Sequence, residues 1–336
     1  MLVCFGETML RLSPPDRLRI PQTNSFDVAY GGAESNVGAA YCMLGGQCRF
    51  VTKFPAGALG EAALWSMRQY GLDCSMIRRG GDRLGVYYLE KGASVRPSAV
   101  LYDRAHSAFA ESARADYDWD AILTGADRFF FTGITPAVLD PQILMDALRE
   151  CRRRGIRVYC DLNYRPKLWS PERAGTVMAQ ALSYVDVCVA NEEHAGLLFG
   201  ITSDAETEPE RLREIARAMT ERFALDAVLL TMRESLSSDD NEVAAALYKN
   251  GELYLSKRYR VHIVDRVGGG DALTAAYLYT ESTEITDRVV TAENPAAQID
   301  FACAANAIKH SIEGDVCIAA PEEIAAVTSG NMRMKR

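Results

Sequence analysis

Residues 265–273 read DRVGGGDAL. Three glycines meet an aspartate, and the apolar residues Ala272, Leu273, Ala275, Ala276, Tyr277 and Leu278 follow. Glycines let a backbone turn several consecutive N–H groups toward one point, and a helix N-terminus adds partial positive charge there. Together they predict an anion site suited to phosphate at residues 268–270. An aspartate held beside a bound phosphoryl group suits a base that accepts a hydroxyl proton during phosphoryl transfer. Read alone, the motif is equally a glycine-rich loop in which Asp271 merely caps a helix.

The surrounding chain alternates strand-like and helical runs. RFFFTG (128–133) precedes a helix over 141–154, and IRVYCDLN (156–163) follows. Ser170-Pro171-Glu172 announces the next helix with a capping residue, a first-turn proline and an acid. VDVCVAN (185–191), a charged helix over 209–223 and AVLLT (227–231) complete the series. Strands this apolar, spaced by helices, predict a doubly wound α/β fold with a mostly parallel sheet covered on both faces. Each strand ends on glycine or polar residues (Thr132-Gly133, Asp161–Asn163, Asn191, Thr231), which predicts a cleft beyond their carboxyl ends.

Two segments lack intervening helices: 13–30 and 84–105. The second reads as a hairpin, Val86–Leu89 and Ala99–Arg104 flanking a turn at Gly92-Ala93-Ser94, with Tyr102 and Arg104 on one face. Together they predict a small β lid inserted in a main domain made of residues 1–12, 31–83 and 106–336. The acidic stretch SSDDNE (237–242) is expected to be a loop.

Composition narrows the function. In 336 residues, 48% are hydrophobic and 24% charged, which suits a globular protein with an ample core. A formal charge of −8 argues against a nucleic-acid surface but not against an anionic substrate, since a few local arginines outweigh a distant acidic background. No apolar run has membrane-spanning length, and the start MLVCFGETML lacks the pattern of a signal peptide. Nine scattered cysteines without a CxxC pair predict reduced, mostly buried thiols and a cytoplasmic location. A dinucleotide-binding GxGxxG is absent after the first strand, where VCFGETML stands.

A second glycine motif, YGGAESNVGAAYCMLGG, occupies residues 30–46. With DRVGGGDAL it resembles the two signatures of the ribokinase-like, or phosphofructokinase B, family of sugar kinases. GVYYLE, YDRAHSA, FTGITPA, DLNYRPKLWS and HIVDRVGGGD extend the likeness, in family order, over nearly the whole chain and toward the 2-keto-3-deoxygluconate kinases within that family. The resemblance implies an ATP-dependent phosphotransferase of ribokinase-like fold that acts on a primary hydroxyl of a sugar acid. It implies Asp271 as catalytic base and Gly268, Gly269 and Gly270 as the anion hole. Gly32, Asn36, Tyr87, Tyr102, Arg104, Arg165 and Asp315 would contact the substrate. Asn191, Thr231, Arg233 and Asn306 would line the ATP site, and Glu193, or Glu192 beside it, would serve magnesium in place of the family's carboxylate. It also allows for a monovalent cation, and exposed lid edges predict a dimer formed through the lid.

Guanidinium groups at 104 and 165 would together clamp a carboxylate. A neutral, fructose-type ketose would need no such clamp and is the alternative substrate class. A sugar-binding regulator without catalysis is a further alternative. Here His194 stands where the family pattern has a carboxylate, Gly269 and Arg266 replace alanine and threonine, and MRESLSSDDN (232–241) replaces a glycine-rich nucleotide segment.

Overall fold

In the computed structural model, which describes residues 1–330, the strand Leu2–Phe5 is buried along its whole length. Leu2 and Cys4 enter one apolar core while Val3 and Phe5 enter another. The same division recurs in Arg128–Thr132, where Phe130 faces the first core and Phe129 and Phe131 the second. Side chains of period two that are apolar on both faces need covering layers on both sides. Helices Ala33–Met43, Gly269–Thr280 and Pro295–Lys309 cover one face; Pro141–Arg154, Pro171–Leu182 and Glu208–Phe223 cover the other.

The main sheet has nine strands. Its order is Glu252–Leu255, Asp240–Lys249, Ala227–Ser235, Val187–Ala190, Arg157–Asp161, Arg128–Thr132, Leu2–Phe5 and Cys48–Val51, with Tyr259–His262 pairing beside Asp240–Lys249. Pairing is parallel from Ala227–Ser235 to Cys48–Val51 and antiparallel beyond. Ser170 caps its helix as expected, its side chain accepting from Arg173 N.

Two expectations change. The strand starting at Ala227 does not stop at Thr231 but runs on to Ser235, and Asp240, Asn241 and Glu242 of the expected loop are strand. The turn is confined to 236–239, where the Ser237 hydroxyl accepts the Asp239 and Asp240 amides. Local polarity suggested a loop; nine paired positions against the neighbouring strand override it. Asp271 is also no cap. Gly268, at φ 83°, is the N-cap, and Asp271 is the third residue of Gly269–Thr280.

A second sheet of four strands lies in the order Asp27–Gly31, Met9–Ser13, Val86–Glu90 and Ala99–Asp103. The sequence boundary between residues 12 and 13 falls inside its strand Met9–Ser13. Register aligns Ala29, Arg11, Tyr87 and Tyr102 in one cross-strand row, and Val28, Leu12, Tyr88 and Leu101 in the row on the opposite face.

Candidate active site

The carboxyl ends of the parallel strands and the second sheet enclose a cavity of about 1040 Å³. Gly32 and Asn36 reach it from the first helix, and Tyr87, Tyr102 and Arg104 from the second sheet and the residue just past it. Arg165, Asn191, Glu193, Thr231 and Arg233 line it from the strand ends, and Gly268–Asp271, Asn306 and Asp315 close the far side. The space lies at the upper end of the range for small-molecule pockets, about 300–1,000 Å³.

Asp271 sits where the helix Gly269–Thr280 begins. The N–H groups of Gly269, Gly270 and Asp271 have no partner within the helix, as in the first turn of any helix. A Cβ on Gly270 would meet nothing within 4 Å, so the space beside that residue is open. Burial pushes the Asp271 carboxyl up to about 7; Asp161, Glu34 and Asp315 add to the shift, and a hydrogen bond from Asn36 opposes it. That bond, from Asn36 Nδ2 to Asp271 Oδ2, measures 2.7 Å. Asn36 Oδ1 accepts from Gly32 N at 3.3 Å. Asn36, expected to hold a sugar hydroxyl, thus ties the first glycine motif to Asp271, and its second Nδ2 hydrogen remains on the cavity side of this link.

Asp315 is likewise held from within. Arg11 Nη1 donates to its Oδ1 at 2.6 Å, and Tyr87 donates its hydroxyl to Oδ2. A Cβ on Gly31 would lie 2.0 Å from Asp315 Oδ2, and one on Gly268 would lie 1.9 Å from Asp315 O. Both glycine motifs thus close around this residue, and no larger residue fits either place. Arg11 also pairs with Asp265, whose Oδ1 accepts the Val267 amide and so shapes the turn into Gly268.

The two arginines expected to clamp a carboxylate differ. Arg104 is 9% exposed and binds Glu7 through Nε at 2.9 Å and through Nη2. Its charge is thus balanced, while Nη1 makes no hydrogen bond among the described residues. Arg165 is exposed and forms no ion pair among the described residues; Nη1 reaches only Tyr164 O, at 3.4 Å. Beside it, burial and the Arg165 charge bring His194 down to about 4, so this imidazole is neutral at pH 7.

At the other end, Asn191 caps the helix Glu192–Phe199 by accepting from His194 N, and Thr231 donates to Ala190 O. Burial and the nearby charge of Arg233 lower the Arg266 pKa. Neither arginine has an acidic partner among the described residues, so the pair suits an anion such as a polyphosphate. The buried Oδ1 of Asn306 has no hydrogen-bond partner among the described residues. Glu193 is exposed at the rim, and no group of three metal-ligating side chains occurs among the described residues. One free carboxylate fits magnesium, which keeps several waters and takes other oxygens from phosphates.

Sequence reasoning passed over several groups. Burial pushes Asp161 up to about 6, against the Asn163 amide and Arg165. Burial also raises the Glu34 carboxyl, despite bonds from Thr132 N at 3.0 Å, Thr132 Oγ1 at 2.7 Å and Thr135 Oγ1 at 2.8 Å. Asp161 ends a strand in a quoted motif and Glu34 lies between Gly32 and Asn36, so an acid in an apolar setting was the available signal. Asp265 opens the first quoted motif, whereas Glu7 and Arg11 carry no such local mark.

Comparison with known proteins agrees with this geometry. A family described as pfkB family carbohydrate kinase matches residues 1–311. A 2-dehydro-3-deoxygalactonokinase of Haloferax volcanii is 31% identical over 331 residues, 98% of this chain and 96% of its own. A 2-dehydro-3-deoxygluconokinase of Thermoproteus tenax is 26% identical over 323 residues, 94% of this chain and 89% of its own. The crystal structure of 2-dehydro-3-deoxygluconokinase from Thermotoga maritima aligns with a TM-score of 0.93 at 45% identity, over 98% of each chain.

Proposed function

The chain belongs to the pfkB family of carbohydrate kinases, phosphotransferases of ribokinase-like fold with an alcohol acceptor, and from this we propose that it phosphorylates 2-keto-3-deoxygluconate (2-dehydro-3-deoxygluconate) at its primary hydroxyl with ATP, giving the 6-phosphate. The observation that carries the acid substrate is Arg165, an exposed guanidinium on the cavity wall without a carboxylate partner among the described residues. The names of the three relatives reported above, each a dehydro-deoxy sugar-acid kinase, support the same class.

The roles follow from placement. ATP supplies the phosphoryl group, and Glu193 would hold a magnesium ion, whose charge would offset that of the phosphates. Asp271 takes the proton of the sugar hydroxyl as the new O–P bond forms and the bond to the ADP oxygen breaks. Gly268–Gly270 present N–H groups to the transferring oxygens, while Arg233, Arg266 and Asn306 serve the nucleotide side. Asn36 holds Asp271 in place. Tyr102 and Arg104 Nη1 face the sugar, and Arg165 takes its carboxylate. The second sheet acts as the lid over this end of the cavity, and Asp315 and Tyr87 anchor that lid to the anion turn.

The outer face of the sheet gives a reason for dimerisation: Val28 and Leu101 are 60% and 55% exposed in one apolar row with Leu12 and Tyr88. A second copy of this chain packing lid to lid would cover it. Nine free cysteines fit a reducing cytoplasm. No helix among the described residues is long and apolar enough to cross a membrane.

The pairing of Arg104 with Glu7 favours a second reading, a neutral ketose, because it leaves one free guanidinium where two were expected. ADP release measured with MgATP and a panel of 2-keto-3-deoxygluconate, its C4 epimer, gluconate and fructose decides. Preference for 2-keto-3-deoxygluconate is the expected result; preference for fructose overturns the acid reading.

A further inference from the structure

The family resemblance allows for a monovalent cation, and oxygen atoms suited to one do converge behind the anion turn. They are the backbone carbonyls of Asp265 and Ile312 and the carboxylates of Asp265 and Asp315. That place is already filled. Lys309, the last residue of the helix Pro295–Lys309, is 0% exposed. Its Nζ donates to Ile312 O at 2.9 Å and to Asp265 O at 3.4 Å. Arg11 takes the two carboxylates.

Charge and space both exclude a further ion. Asp265 and Asp315 carry two negative charges, and Arg11 and Lys309 carry two positive ones. An added cation would leave the buried cluster with net charge in a medium that solvates it poorly. It would also have to displace an ammonium from its carbonyls. Burial lowers the Lys309 pKa, while Asp265 and Asp315 favour its charged form. The side chain also lies close to the turn: a Cβ on Gly268 would be 3.5 Å from Lys309 Cε.

We propose that the Lys309 ammonium is a covalently attached substitute for an exchangeable monovalent cation, so that phosphoryl transfer by this protein does not depend on potassium, sodium or ammonium ions. The activity arm of this inference rests on the kinase reading; its stability arm does not.

The test compares potassium, sodium and tetramethylammonium chlorides at equal ionic strength. For the wild type, equal rates of ADP release and equal melting temperatures in all three salts are expected. Lys309→Ala empties the ammonium position, so its melting temperature should fall in tetramethylammonium and recover partly in potassium or methylammonium. A severalfold rise in wild-type rate, or a higher wild-type melting temperature, when potassium replaces tetramethylammonium overturns the proposal. So does a folded Lys309→Ala protein that ignores every small cation. Should that variant not fold, the wild-type comparisons decide alone. If none of the sugars is phosphorylated, the kinase reading fails while the melting comparison still tests the built-in cation.

Discussion

Asp271 holds its proton up to about pH 7 in the folded chain, against an ordinary value of 3.8. A base of that strength is matched to work near neutrality. Its protonated form favours the folded state; that contribution is full below about pH 4 and is lost as pH rises through 7. Asp271→Asn keeps an oxygen for the Asn36 amide and removes the buried charge. Relative to wild type it should gain stability between pH 4 and 8, by at most about 4 kcal/mol for a shift of this size. The same variant should lose about a hundredfold or more in turnover. Thermal melting across pH, beside steady-state rates, checks both; a variant with near-normal turnover removes Asp271 from the chemistry. Arg165 carries the second residue-scale expectation. With Arg104 balanced by Glu7, truncating Arg165 to alanine should weaken the sugar acid by about 2–5 kcal/mol. That is roughly thirtyfold to several thousandfold in KM, with little change for ATP. Arg165→Lys should rescue in part, because an ammonium lacks the planar fork. An equal loss on an analogue whose carboxylate is reduced to an alcohol would dismiss the carboxylate contact.

At the scale of elements, the anion turn is a meeting of backbones more than of side chains. Gly268 combines φ 83° with a Cβ position 1.9 Å from Asp315 O, whereas Gly270 points its missing side chain into open space. Gly268→Ala should therefore lower stability by about 1–3 kcal/mol for the left-handed backbone alone, with the clash added. Gly270→Ala should leave the melting temperature within a few degrees of wild type. Comparable melting losses in both would mean that the close approach to Asp315 does not govern the turn. The hairpin of strands Ala227–Ser235 and Asp240–Lys249 carries Arg233 to the cavity beside Arg266, so paired strands stand where a glycine-rich segment was expected.

The whole molecule couples its two sheets through a few buried charges. Arg11 and Tyr87, neighbours in the second sheet, both end on Asp315, which lies against Gly268 of the anion turn. The second sheet is thereby tied to the glycine turn at 268–270. On its outer side, the row of Val28, Leu12, Tyr88 and Leu101 is expected to bury against a second copy. Leu101→Asp places a charge in that row without touching the cavity. Sedimentation velocity at micromolar concentration should show a dimer for the wild type and a shift toward monomer for the variant. A wild type that sediments as a monomer contradicts the lid-to-lid dimer.

Alternating apolar runs, the turn at 268–270 and the capped helix after Ser170 were legible in the sequence because each depends on neighbours within a few residues. Period-two burial, helix capping and glycine's backbone freedom are local rules, and they sufficed for the parallel sheet and for the cleft at its carboxyl edge. The partners of the charges were not legible. Arg104 meets Glu7 across 97 residues, Asn36 meets Asp271 across 235 and Arg11 meets Asp315 across 304. Which carboxylate balances which guanidinium depends on distances of a few ångströms set by packing between layers, and burial in that packing is also what raises Asp271 toward neutrality. Sequence alone determined the architecture and where its site would open; tertiary structure decided which groups in that site are spent on the protein and which remain to bind a ligand.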